Sequence, residues 1–189
     1  MDQDSFHLLG IAGSLRSGSY NRGLLRAAAE VLPPGVSLGI LTLDDIPLFS
    51  ADLMAEGDPP SVQELKEHIQ VADALLIATP EYNYSIPGVL KNAVDWASRP
   101  SKHSVLRGKP IGIMGASGGD SGTMRCQMAL RQVFIQTHSF VMVQPELRVP
   151  QAGSRFDGAG NLVDAELRER LRAFVAALVD WARLVGIRG

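Results

Sequence analysis

The sequence holds a single cysteine, Cys126, in 189 residues. No intrachain disulfide can form, and no cysteine-based metal centre can be assembled. The histidines, His7, His68, His103 and His138, are scattered at intervals that match no metal-ligand spacing. Excess charge is lacking too, since 18 basic and 20 acidic side chains leave a net −2. That balance removes the electrostatic case for nucleic acid or an anionic membrane as partner. It is also too mild for an acidic carrier that docks on basic proteins. Long apolar runs are missing, and stretches such as Ala74–Ala78 have the length of a strand, too short to span a bilayer. The opening MDQDSFHLL carries acids where a secretion signal is basic. A cytoplasmic protein is the expectation, which makes the Asn83–Ser85 glycosylation sequon a chance match.

What is present suits a single globular domain over residues 1–189, with 46% hydrophobic and 20% charged residues. A chain of this size buries about 70% of its unfolded surface and needs no staples. Strand and helix signals alternate along it. Phe6–Ala12 reads as a buried strand and Asn21–Leu32 as a helix that stops before Pro33-Pro34-Gly35. Val36–Leu43 is a second strand, and Ile46–Pro60 reads as a loop. Ser61 is the expected cap of a helix reaching about Val71. Ala74–Thr79 has the continuous apolar pattern of a strand covered on both faces. Ser85 is the expected cap of a helix to about Ala97, with Pro87 in its first turn. Ile111–Ala116, Thr123–Thr137 and Phe140–Val143 read as strand, helix and short strand, and Gln151–Asn161 as an irregular loop. Asp164 caps a final helix whose apolar residues Leu167, Leu171, Phe174, Val175, Leu178, Trp181 and Val185 share one face.

Strands separated by helices run parallel, because each crossover is right-handed and packs on the sheet. The expected fold is therefore a three-layer α/β/α domain on a five-stranded parallel sheet. Ligands on such sheets bind beyond the carboxyl ends of the strands. Three of those ends carry unusual loops: GSLRSGSYN at Gly13–Asn21, PEYNYSIPG at Pro80–Gly88 and ASGGDSG at Ala116–Gly122.

The first loop combines Ser14, Ser17, Ser19, Asn21 and the single cation Arg16 at a helix N-terminus. Free N–H groups and the helix dipole there favour an anion, and many neutral donors suit a phosphate monoester. The Gly-Lys-Ser/Thr of a P-loop is missing, and so is the G-x-G-x-x-G of a dinucleotide fold. A serine-rich turn that only caps its helix fits as well. The second loop offers aromatic rings and backbone amides to the edge of a flat heteroaromatic ring; an ordinary turn with tyrosines packed on the next helix is its alternative. The third loop is either a second wall for such a ring or a flexible turn. Cys126, inside a helix without a basic neighbour, reads as inert. Asp44 and Asp45 read as turn residues. Val89, Leu90, Ala93 and Trp96 read as core or as a subunit contact.

Together, GSLRSGSYN, ATPEYNYSIPGVLKNAVDWASRP and GKPIGIMGASGG…RCQMALRQVF resemble the NADPH-dependent FMN reductases of flavodoxin-like fold, the group with bacterial quinone and chromate reductases, from residue 6 to about 150. The resemblance implies strand order 2-1-3-4-5. It implies Ser14, Leu15, Arg16, Ser19 and Asn21 around the FMN phosphate. It implies Pro80, Glu81, Tyr82 and Asn83 against the isoalloxazine ring, closed on the other side by Ser117, Gly118 and Gly119. It also implies NAD(P)H as co-substrate, a quinone or similar small acceptor, no metal, no catalytic side chain, and a homodimer or homotetramer. Thr123 stands where the family often has a second glycine, and Met128 where it often has an aromatic residue. A non-enzymatic flavin carrier is the main competing reading. A phosphate-ester hydrolase would need a nucleophile in Gly13–Asn21, which has no cysteine.

Overall fold

A computed structural model describes residues 5–186. Its strands are β1 (Phe6–Ala12), β2 (Val36–Leu41), β3 (Ala74–Ala78), β4 (Pro110–Ala116), β5 (Phe140–Val141) and β6 (Leu147–Val149). Its helices are α1 (Tyr20–Ala29), α2 (Ala51–Ala55), α3 (Pro60–Val71), α4 (Gly88–Ala97), α5 (Met124–Gln136) and α6 (Ala165–Gly186). The sheet is parallel throughout and runs β2-β1-β3-β4-β5, with β6 also on β4. This is the flavodoxin-like order.

Alternation along each strand divides the core. Leu8 of β1, Leu76 of β3 and Met114 of β4 face α1 and α6, where they meet Leu24, Leu25, Leu171, Phe174 and Leu178. Leu9 and Ile11 of β1, with Ile77 and Ile113, face α3, α4 and α5 through Leu65, Ile69, Leu90, Leu130 and Phe134. Burying each such side chain contributes roughly 1.5–3 kcal/mol, so both layers are held on by apolar contact.

Several expectations are corrected. The fifth strand position is split: β5 pairs with Pro110 and Ile111, and β6 with Met114 through Ala116. Leu147–Val149 was too short for its alternation to register as a strand. The Ile46–Pro60 loop contains α2, capped by Ser50, whose Oγ accepts from the Leu53 N–H. Ser61 does not cap α3; its hydroxyl donates to the Asp45 carbonyl at 2.9 Å, and Pro59 holds the cap position. Ser85 does not cap α4 either, since Pro87 stands there and Ser85 pairs with Tyr82. Asp164 does cap α6, with Oδ1 accepting from the Leu167 N–H. Trp96, open between core and subunit contact, is fully buried. Its indole donates to the Pro47 carbonyl at 2.8 Å and its ring meets Phe49 edge-on.

Candidate functional site

The three marked loops meet at the carboxyl edge of the sheet. Gly13 donates to the Ala78 carbonyl at the end of β3, and Thr79 donates to Met114 in β4. These bonds carry the ladder one residue past each strand and bring the loop bases together.

In the first loop, Leu15, Arg16, Ser17 and Gly18 are exposed, while Ser14 and Ser19 are buried at its base. The backbone N–H groups of Ser14 through Gly18 have no acceptor among the described residues. Ser19 is the N-cap of α1, its Oγ accepting from the Asn21 and Arg22 N–H groups at 3.2 and 3.5 Å. Its own proton stays available for an anion. The Arg16 guanidinium lies 5.3 Å from the centre of the Tyr20 ring. Asn21 is different. Its side-chain amide donates to the Ala116 carbonyl and its carbonyl accepts from the Ala116 N–H, both at 2.9 Å. This two-point clamp, 2% exposed, ties α1 to the end of β4 beneath the loop. The Arg22 guanidinium pairs with Asp44 at 3.3 Å, which accounts for that aspartate as a turn residue.

The second loop is a tight hairpin. Tyr82 and Ser85 exchange backbone hydrogen bonds of 3.1 and 2.9 Å. The two residues between them, Asn83 and Tyr84, have φ of 49° and 64°. A two-residue turn that follows the strand twist needs positive φ at both centres. Asparagine adopts it readily, but tyrosine does so at a cost of order 1–3 kcal/mol. Pro80 is buried at the hairpin base, and Tyr82 and Tyr84 are exposed. The N–H groups of Glu81, Asn83 and Tyr84 have no acceptor among the described residues.

Glu81 departs from a simple ring contact. Its side chain, 7% exposed, turns to the start of α5. Oε2 accepts from the N–H groups of Arg125 at 2.9 Å and Cys126 at 3.1 Å. Oε1 accepts from the Arg125 guanidinium at 3.0 Å and the Ser121 hydroxyl at 3.3 Å. Burial works against the charged carboxylate, but the Cys126 and Arg125 donors outweigh it and hold its pKa below the usual carboxylate range. The guanidinium of Arg125 also lies 4.0 Å from the centre of the Tyr84 ring. Sequence reasoning missed this cluster because Glu81 lies 40, 44 and 45 residues from Ser121, Arg125 and Cys126 along the chain.

In the third loop, Ser117 is half-buried and donates its N–H to the Val149 carbonyl at 3.0 Å. Gly118 and Gly119 are exposed, their N–H groups unspent among the described residues, with open space where a Cβ would stand. Thr123 is fully buried with φ of 69° and receives a hydrogen bond from Gln127 at 3.1 Å. Gly115 makes room for it: a Cβ there would meet Thr123 Oγ1 at 2.1 Å and the Thr79 carbonyl oxygen at 2.4 Å. The departure at Thr123 is thus absorbed by packing. Cys126 is buried, its thiol pushed up to about 11, chiefly by burial. A thiol held in that state is a poor nucleophile at neutral pH.

One edge of the sheet therefore offers unspent donors and one cation on one side, and a rigid hairpin facing open glycines on the other. That pairing suits a flat cofactor that ends in an anion. A family model described as NADPH-dependent FMN reductase matches residues 6–154, and the chain belongs to that family. An NAD(P)H-dependent FMN reductase of Pseudomonas aeruginosa is 48% identical over 182 residues, covering 95% of this chain and 97% of the relative. A 2-hydroxy-1,4-benzoquinone reductase of a Burkholderia species is 42% identical, over 92% of this chain and 94% of its own. Among solved structures, the flavoenzyme NAD(P)H:(acceptor) oxidoreductase FerB of Paracoccus denitrificans superposes with a TM-score of 0.85 at 34% identity, over 94% and 97% of the two chains.

Proposed function

We propose that this chain, a single FMN-binding unit, is an NAD(P)H-dependent oxidoreductase that reduces quinones or similar small acceptors. The observation that carries the reading is the pairing of an anion cradle at Ser14–Gly18 with the donor-bearing hairpin and open glycines on the same edge. The residues fit FMN. Arg16 and the N–H groups of the first loop would take the phosphate, with the Ser19 hydroxyl as a further donor. Asn21 would act from below, as the clamp that sets the loop against β4. The N–H groups of Glu81 and Asn83, unspent among the described residues, would donate to the ring edge beside Pro80 and Tyr82, and Ser117, Gly118 and Gly119 would bound its other side. Bound FMN would supply the two-electron redox chemistry between NAD(P)H and the acceptor. The protein's share is to bind, orient and place donors where negative charge develops on the ring.

The close quinone-reductase relatives support the acceptor class. Exposed Met128 and Ile135 on α5, with Val143 beside its end, support assembly into a homodimer or homotetramer. A cytoplasmic setting is part of the same reading; among the described residues no helix is long and apolar enough to cross a membrane. Anaerobic addition of NADPH to the FMN-loaded protein tests the reading. Bleaching of the flavin absorption, followed by its return on adding a soluble quinone, is the expected outcome. A protein that binds no FMN overturns the assignment, and flavin that NAD(P)H does not bleach favours an electron carrier instead.

A further inference from the structure

The N-terminus of α5 is capped from another loop. Four N–H groups at this end lack helical acceptors of the usual kind. Met124 donates to the Ser121 carbonyl, and the ordinary helical ladder begins only with Gln127, whose N–H reaches the Thr123 carbonyl. Arg125 and Cys126 both donate to the Glu81 carboxylate. Thr123, in the cap position, makes no side-chain cap bond, and its left-handed backbone and the bond from Gln127 leave its hydroxyl engaged elsewhere. A local cap would have served the helix alone. This cap instead connects the helix to the hairpin, and Ser121 adds the Ser117–Gly122 turn to the same carboxylate.

Arg125 completes the connection. Its guanidinium reaches Glu81 at 3.0 Å and covers the Tyr84 ring at 4.0 Å. Of the two positive-φ residues at the hairpin tip, Tyr84 is the one whose type resists that conformation more. The strained tip and the hairpin base are therefore gripped by one arginine and one carboxylate.

We propose that Glu81 is a positioning residue: its carboxylate latches the hairpin to the start of α5 and sets the gap between the two walls of the ring site. This rests on the FMN reading of that site. Glu81 acts through the backbone it holds, and its carboxylate oxygens are spent on α5 and Ser121.

The test compares full-chain wild type, Glu81→Gln and Glu81→Ala by two measurements. One is quenching of flavin fluorescence on titration with FMN and with riboflavin. The other is thermal melting of the flavin-free protein. A gap between ring walls affects the two flavins alike. The expected result is an equal loss of affinity for both, about tenfold or more for Glu81→Ala. Glu81→Gln keeps an acceptor oxygen for the α5 N–H groups and should recover part of that loss. It also covers the case in which the alanine variant does not fold. Lowered melting temperatures with unchanged affinities would make Glu81 a helix cap and nothing more, overturning the proposal. Loss confined to FMN would assign the effect to the phosphate side and overturn it equally. Wild-type protein that quenches neither flavin overturns the FMN reading, and the latch with it.

Discussion

The Gly13–Asn21 loop and the Pro80–Ser85 hairpin occupy one edge of the sheet and are built by opposite means. The first is exposed from Leu15 to Gly18 and fastened at its two ends, by the Gly13 bond to Ala78 and by the Ser19 cap and the Asn21 clamp. The second closes on itself through Tyr82 and Ser85, holds two consecutive positive-φ residues, and is tied to α5 through Glu81. An anion is a nearly spherical charge, and flexible N–H groups with one guanidinium can gather around it. A flat ring must be met by a surface of fixed shape, and strain is tolerated there because the surroundings hold it. On the proposed function, charge would recruit at one end of the site and shape would select at the other.

The comparison breaks most severely at its shared floor. Asn21→Ala leaves the buried N–H and carbonyl of Ala116 without partners, at a cost of about 4 kcal/mol if each orphaned group contributes about 2. Urea unfolding would measure it, and a loss under 1 kcal/mol would mean that the clamp does not carry the loop. Gly115→Ala strikes the hairpin side of the floor. Its Cβ would lie 2.1 Å from Thr123 Oγ1 and 2.4 Å from the Thr79 carbonyl oxygen, and one of those contacts is rigid backbone. A loss of about 3 kcal/mol is expected, and wild-type stability would show that Thr123 is not packed there.

Arg16→Ala sharpens the comparison without touching the floor. The side chain is exposed, so stability should change by about 0.5 kcal/mol at most. FMN affinity should fall about tenfold to a hundredfold, or about 2 kcal/mol, with riboflavin unaffected. Equal weakening of both flavins in a binding titration would move the phosphate away from this loop.

The two loops also differ in how far the sequence exposes them. The first is legible because its chemistry is local: serines, glycines and one arginine between a strand and a helix point, by composition, to an anion site or a capping turn. The helices other than α2, and strands β1 to β5, follow from periodicity and breakers for the same reason. The hairpin is legible only as something unusual. Positive φ at Tyr84 is not a property that tyrosine advertises, and the Glu81–Arg125 contact joins residues that share no local pattern. Asn21 misleads in a related way. A polar residue in a polar loop resembles a ligand, yet its partner is the Ala116 backbone, 95 residues on. β6 escapes because three residues carry too little alternation, and Ser61 and Ser85 mislead because cap chemistry ignores where the chain enters its helix.

Cys126 provides the smallest effect and the sharpest control, because it lies between hairpin and floor. Its N–H is held by Glu81, and its sulfur lies 3.5 Å from Thr79 Oγ1. Burial raises the thiol to about 11, so at pH 7 roughly one molecule in ten thousand carries the thiolate. Cys126→Ser should leave NAD(P)H–quinone turnover within about twofold, and a thiol reagent should label the native wild type far more slowly than the unfolded chain. The pH dependence follows from the direction of the shift. With the folded value above the ordinary 9.0, the contribution of Cys126 to stability is fully present below pH 9 and is lost as the pH rises toward about 11. Wild type should therefore lose stability across that window relative to Cys126→Ser, whose hydroxyl does not titrate there. Parallel stability curves, or rapid labelling of the native protein, would place the thiol in solvent and remove it from beneath the hairpin.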